Sequence, residues 1–246
     1  MRNYERELIR RIGFIRNALK AAQADGIVYG NSGGKDSAFV GILCKAACEN
    51  TVGLIMPCTS SRNYGVDRTD AEKVARQFNI ETRIIDLSNV KNKLLEELEG
   101  KATHSDIALT NIAPRLRMTT LYAVAASEKR LVAGTRNRSA DYMGHFTKWG
   151  DGAFDINPIA DLTVTEIYEF LRCLNAPESI MSKIPSAGLF DGQTDEEEMG
   201  VTYRSIDTFL LYGTVGEHDG AIIEKHHKVS EHKRKMPMVF GESRAL

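Results

Sequence analysis

Apolar residues along this chain alternate between helical and extended spacing. Leu8, Ile9, Ile12, Ile15 and Leu19 recur at helical intervals, so the chain opens on an amphipathic helix. Short apolar runs follow at 26–29, 51–56, 82–87 and 131–133, each of strand length, and Pro57 ends the second. Helical patterns lie between and after them. One spans 38–47. One spans 67–78, with Asp67 as candidate N-cap and Ala71, Val74, Ala75 and Phe78 on one face. A long helix is predicted over 109–127, bent near its start by Pro114. Another is predicted over 164–174, capped by Thr163 or Thr165 and stopped near Pro177. Strands alternating with helices predict an α/β fold: a doubly wound, mainly parallel, Rossmann-like sheet with right-handed crossovers, in a single domain over 1–246. Such sheets bind ligands beyond the carboxyl ends of their strands. Gly30, Pro57-Cys58 and Gly134-Thr135 would then share one edge.

The polar stretch after the first strand changes the picture most. Residues 30–37 read Gly-Asn-Ser-Gly-Gly-Lys-Asp-Ser and lead into a helix. A glycine turn feeding a helix N-terminus leaves backbone N–H groups open to an anion and lets a phosphate come close. The octet is not a Walker A loop, which would require glycine at position 29 and Ser or Thr at position 36; this chain has Tyr29 and Asp36. A carboxylate beside a phosphate site makes sense with a divalent metal between them. The alternative is a tight strand–helix turn with no ligand, which needs fewer Ser and Asp side chains than stand here.

Composition narrows the class. The 246 residues are 42% hydrophobic and 26% charged, as in an ordinary globular protein. A net charge of −1 offers no global field to nucleic acid or to an acidic membrane. No apolar run approaches the roughly 20 residues of a spanning helix, and residues 1–6 lead into a helix rather than a signal peptide. We expect no nucleic-acid or membrane partner and a cytoplasmic location. Cys44, Cys48, Cys58 and Cys173 form no C-x-x-C pair. Cys44 and Cys48, one turn apart, read as core thiols rather than ligands or a redox pair. The sequon Asn137-Arg138-Ser139 is chance.

Two later stretches stay open on residues alone. Residues 182–202 are polar and glycine-containing, as in a functional or mobile loop. Within them the acidic run at 195–198 reads as a metal site or, preferably, as a first helical turn capped by Thr194. The basic segments His226-His227-Lys228 and His232-Lys233-Arg234-Lys235 read as a solvated helix end or a binding arm.

Taken together, these residues resemble the ammonia-dependent NAD synthetases, members of the ATP pyrophosphatases marked by Ser-Gly-Gly-x-Asp-Ser. Residues 32–37 match that loop. Gly144-His145-Phe146-Thr147-Lys148-Trp149-Gly150-Asp151-Gly152, followed by Asp155-Ile156-Asn157-Pro158, is similar to the family's Gly-Tyr-Phe-Thr-Lys-Tyr-Gly-Asp-Gly and Asp-Ile-Asn-Pro. Gly192-Gln193-Thr194-Asp195-Glu196-Glu197 and Glu231-His232-Lys233-Arg234 complete the set. The likeness runs from the first helix to about residue 240 and implies an adenine nucleotide α-hydrolase-like fold. It implies ATP- and Mg²⁺-dependent amidation of deamido-NAD by ammonia through an acyl-adenylate, releasing AMP and pyrophosphate.

Residue by residue, the resemblance assigns ATP to Gly30, Asn31, Ser32, Gly33, Gly34, Lys35, Asp36 and Ser37, with Thr135 and Ser186. Met56 borders the adenine or belongs to the core. Ser32, Lys35 and Asp36 would serve catalysis. Deamido-NAD falls to Arg115, Lys148, Asp155, His232 and Lys233, which makes the basic C-terminus a binding arm and 182–200 a lid. Asp36 would hold Mg²⁺. The family's second metal-binding residue, a glutamate, falls on Ala140, so Asp141 is expected to substitute. A phosphate-contacting lysine falls on Val164, leaving Lys35, Arg136 or Arg138 to supply the charge. The family implies a homodimer, with helix 109–127 a candidate interface. Glutamine-using relatives carry an amidase domain for which this chain is too short, so ammonia is the expected donor. Other readings share the loop. A tRNA-thiolating enzyme would want reactive cysteine pairs or an RNA surface. A phosphoadenylylsulfate reductase would want a cysteine near the C-terminus. A catalytically degenerate nucleotide-binding protein would fit Ala140 and Val164.

Overall fold

The computed structural model describes residues 3–58, 60–186, 188, 192 and 194–240. Its elements run α1 (Tyr4–Ala22), β1 (Gly26–Gly30), α2 (Lys35–Ala47), β2 (Thr51–Ile55), α3 (Ser61–Tyr64), α4 (Val66–Gln77) and β3 (Glu81–Ile84). Then come α5 (Ser88–Leu98), α6 (Asp106–Thr110), α7 (Ile112–Glu128), β4 (Arg130–Ala133), α8 (Arg138–Met143), α9 (Val164–Cys173) and α10 (Glu178–Met181). The chain closes with α11 (Asp195–Met199), α12 (Tyr203–Tyr212), α13 (Glu217–Val229) and α14 (Glu231–Arg234).

The strands form one parallel sheet in the order β3-β2-β1-β4. Alternate residues of β1 face opposite sides. Ile27 and Tyr29 pack with Ile15 of α1, Phe39 of α2 and Phe170 of α9, whereas Val28 packs with Leu54, Val132 and Ala125 of α7. Two cores on two faces make the sheet doubly wound, as the alternation predicts. A third cluster joins Met143, Val164, Met199, Tyr203, Ile206 and Ile223 beside the sheet. The order also fixes where a ligand can sit. The chain travels outward from β1 through β2 and β3, then returns to place β4 on the other side of β1, so β1 and β4 flank a topological switch point.

Several boundaries differ from expectation, each for a local reason. Helix α4 starts after Gly65 with no side-chain cap, and the carboxylate of Asp67 goes instead to Arg62 (3.0 Å) and Lys183 (2.8 Å). The stretch 109–127 is two helices parted at Asn111, and Pro114 occupies the first turn of α7, where its missing N–H costs little. The third strand is shorter than 82–87, although Ile85 and Leu87 still donate to Ile55 and Pro57. Thr163 caps α9 through a reciprocal capping box with Glu166.

Candidate active site

The loop after β1 is built around one strained glycine. Gly33 has φ +70°, and a Cβ there would lie 2.0 Å from the carbonyl oxygen of Asp67. Only glycine permits both the left-handed turn and the close approach to α4. The turn delivers Lys35 and Asp36 to the first turn of α2. Ser32 Oγ donates to Ser37 Oγ at 3.1 Å, Ser37 Oγ donates to the Gly34 carbonyl at 3.0 Å, and Asn31 is tied to Leu54 and Ala71. Asp36 accepts from Lys35 Nζ (3.1 Å) and from Asn137 Nδ2 (3.0 Å), so α8's cap residue reaches across the switch point to the loop.

This loop forms one wall of a cavity of about 590 Å³, within the usual range for a small-molecule site. Gly30, Asn31, Ser32, Gly34, Lys35, Asp36 and Ser37 line it, with Gly33 behind them as the turn. Thr135 closes the β4 side, Ser186 the far side and Met56 the end of β2. Met56 is also buried in the second core.

The cavity wall carries a buried charge relay that the sequence did not reveal. His145 Nε2 lies 3.2 Å from Asp195 Oδ1, Tyr203 Oη donates to Asp195 Oδ2 at 2.8 Å, and Lys35 Nζ sits 5.3 Å from the Tyr203 ring centroid. Burial opposes charging of Lys35, but Asp36 and Asp195 outweigh it and hold its ammonium above the ordinary range. Burial likewise opposes charging of His145, yet Asp195, Glu198 and Asp151 raise it. Burial would raise Asp195, but His145, Tyr203 and Lys35 bring it down. Thr194 caps α11 as predicted, and the capped turn also brings Asp195 and Glu198 to the cavity wall. Of 182–202, Ala187, Leu189, Phe190, Asp191 and Gln193 lie outside the described residues, and with them part of the expected lid.

The residues expected at the dinucleotide are divided. Lys233 lines the cavity, its Nζ donating to the carbonyls of Gly144 and Phe146 at 2.8 Å each; burial lowers its ammonium. Lys148 Nζ donates to the His232 carbonyl (2.6 Å) and Arg115 to the Lys148 carbonyl (3.3 Å), so these three meet outside the cavity wall. Asp155 accepts from Tyr122 Oη and from the Val132 N–H, which makes it a register residue for β4. The expected substitute ligand, Asp141, pairs with Arg136 at 2.9 Å, while Ala140 is the residue of that turn lining the cavity. Arg136 also stacks 4.0 Å from the Phe146 ring, and Arg138 donates to the Leu210 carbonyl. Arg136 lines the cavity, and Arg138 does not. Sequence reading also missed Arg117, which lines the cavity and holds the Met56 carbonyl and Asn63.

A parallel doubly wound sheet, with a glycine loop and a cleft at its switch point, defines a nucleotide-binding α/β enzyme. The profile of the NAD synthase family matches residues 7–239. The chain belongs to the NAD synthase family. It is 43% identical over 240 residues to the NH₃-dependent NAD⁺ synthetase of Carboxydothermus hydrogenoformans, spanning 96% of this chain and 98% of that protein. Among solved structures it superposes on the NMN synthetase of Francisella tularensis with TM-score 0.92 at 35% identity, covering 98% and 100% of the two chains. It superposes on the NH₃-dependent NAD synthetase of Campylobacter jejuni with TM-score 0.81 at 30% identity, again covering 98% and 100%.

Proposed function

We propose that this chain is a ligase that forms NAD from deamido-NAD, ATP and ammonia. The observation that carries the reading is the convergence of the 30–37 loop, Thr135, Ser186 and Lys233 on one cavity, in a chain whose near-full-length relatives bear that activity in their names. A nicotinate carboxylate is a poor acyl donor until one oxygen becomes part of a leaving group. In this scheme that oxygen attacks the α-phosphorus of ATP and the bond to the β-phosphate bridging oxygen breaks. Ammonia then adds to the carbonyl carbon and AMP departs with the former carboxylate oxygen. Open N–H groups at the start of α2 and the Lys35 ammonium stabilise the charge on pyrophosphate. Ser32 and Ser37 position the phosphates. Lys233 on the cavity wall, with Arg115, Lys148 and His232 beyond it, would hold the dinucleotide, and the Arg115, Lys148 and Lys233 cations match its pyrophosphate and carboxylate.

Asp36 suits Mg²⁺. It offers a hard carboxylate in the cavity wall, with a side chain 25% exposed, and Mg²⁺ binds through one or two carboxylates together with substrate phosphates. Among the described residues no group of three or more His, Cys, Asp or Glu gathers to cage a metal alone, which fits a cation that arrives on ATP. When bound, Mg²⁺ neutralises phosphate charge. For Asp141 to join Asp36 it must leave Arg136.

A homodimer rests on the likeness to the family. Leu116, Leu121 and Val124 of α7 pack against the second core, and Met118 lines the cavity. Ile107 of the adjoining α6 is 74% exposed. The free thiols and the use of ATP suit the cytoplasm, and no described helix is long and apolar enough to cross a membrane.

One observation favours a second reading, with the mononucleotide as substrate: the closer superposition on the NMN synthetase. The two are separated by comparing kcat/KM for nicotinate adenine dinucleotide and nicotinate mononucleotide, with ATP, Mg²⁺ and ammonium. Preference for the dinucleotide supports the first reading, and preference for the mononucleotide replaces it with the second.

A further inference from the structure

We propose that Lys183 is the positioning residue of the phosphate loop. This rests on the reading of residues 30–37 as the ATP phosphate site. Lys183 follows α10, its side chain is 10% exposed, and it lines the cavity. Its Nζ donates to the carbonyl of Gly33 at 2.9 Å and to Asp70 at 2.8 Å, and pairs with Asp67 at 2.8 Å. The Gly33 carbonyl belongs to the peptide that enters α2. A trans peptide is planar, so fixing that carbonyl fixes the opposed N–H of Gly34, the cap residue of α2. The positive charge on Lys183 polarises the same peptide and strengthens that N–H as a donor to an anion.

Lys35 supplies charge to the phosphates directly, and the two arginines do not hold the loop backbone. Arg136 is held by Asp141 and Phe146, and Arg138 by Leu210. Val164 begins α9 in the apolar cluster with Met143, Met199 and Tyr203. Lys183 also couples the loop to the segment that follows it. The Ile184 carbonyl accepts from Arg62, and the Gly188 carbonyl accepts from Ser60 and Asn63. Asp67 joins Arg62, Asn63 and Lys183 in one network, so Lys183, Ile184, Gly188 and the phosphate loop are held by the same α3–α4 corner.

The wild-type chain is assayed first with ATP, Mg²⁺, ammonium and deamido-NAD; an inactive wild type removes the parent reading and leaves ATP affinity by calorimetry to judge Lys183. Lys183→Met is expected to weaken ATP binding and pyrophosphate inhibition about tenfold, leave the KM for deamido-NAD within about twofold, and be largely rescued by Lys183→Arg. A lowered thermal midpoint with wild-type affinity for ATP and pyrophosphate marks a mere strut and overturns the proposal. Should Lys183→Met fail to fold, Lys183→Gln keeps a donor without the charge. Weakened ATP and pyrophosphate binding in it supports the proposal, and wild-type affinity overturns it.

Discussion

At the scale of single residues, Asp36 stands at the crossing of every line in the site. It touches Lys35 from its own helix and Asn137 from across the switch point. Asp36→Ala is expected to cut pyrophosphate release by about 10²–10³-fold while deamido-NAD binding changes far less, as read by single-turnover assay and by ligand titration. Gly33→Ala meets both a left-handed φ and the Asp67 carbonyl. It should lower the unfolding free energy by about 1–3 kcal/mol and abolish ATP binding, measured by thermal unfolding and calorimetry.

His145 gives the fold a pH signature. Its folded pKa lies above the ordinary 6.5, so its pairing with Asp195 stabilises fully below that value and is lost as pH rises through the raised one. Asp195 is depressed below its ordinary 3.8, so its contribution holds above that value and is lost as pH falls through the depressed one. The pair therefore stabilises most between those limits. His145→Phe should lower the thermal midpoint by several degrees near about pH 5–6, at about 2–4 °C per kcal/mol, with the gap closing toward alkaline pH. A gap independent of pH would show that packing alone is at stake.

Elements were legible where periodicity and caps agreed. The helix at 164–174 follows from sequence because a threonine cap, at 163 or 165 by sequence and at Thr163 in the fold, precedes an apolar face, and the Thr194 cap follows from the acidic first turn behind it. Thr163→Ala should lower the unfolding free energy by about 1 kcal/mol with little change in ATP affinity, checked by denaturant unfolding. Asp67 misled because its spacing suits a cap, whereas tertiary partners claim its carboxylate. Helix α5 went unread; it has no buried residue, so its apolar positions mark no core face. The phosphate loop was legible because its chemistry is contiguous over 30–37. The relay His145–Asp195–Tyr203 and the grip of Lys183 on Gly33 were not, since folding alone brings those residues together. Asp155 and Asp141 also have partners that the sequence did not reveal, the Val132 N–H and Arg136.

At the scale of the whole molecule, the strand order accounts for the site. Carrying β2 and β3 to one side of β1 and β4 to the other opens a cleft between Gly30 and Gly134-Thr135, and the glycine loop after β1 falls there. The homodimer is a proposal that rests on the family likeness. Sedimentation should find one, and Ile107→Asp should weaken it. The central claim is that ATP in this cleft activates a carboxylate by adenylation. The most direct measurement uses deamido-NAD with ¹⁸O in its nicotinate carboxylate, turned over with ATP, Mg²⁺ and ammonium, followed by mass spectrometry of the products. AMP carrying one ¹⁸O, with unlabelled pyrophosphate, is the predicted result; ¹⁸O in orthophosphate, with ADP as the nucleotide product, would contradict it.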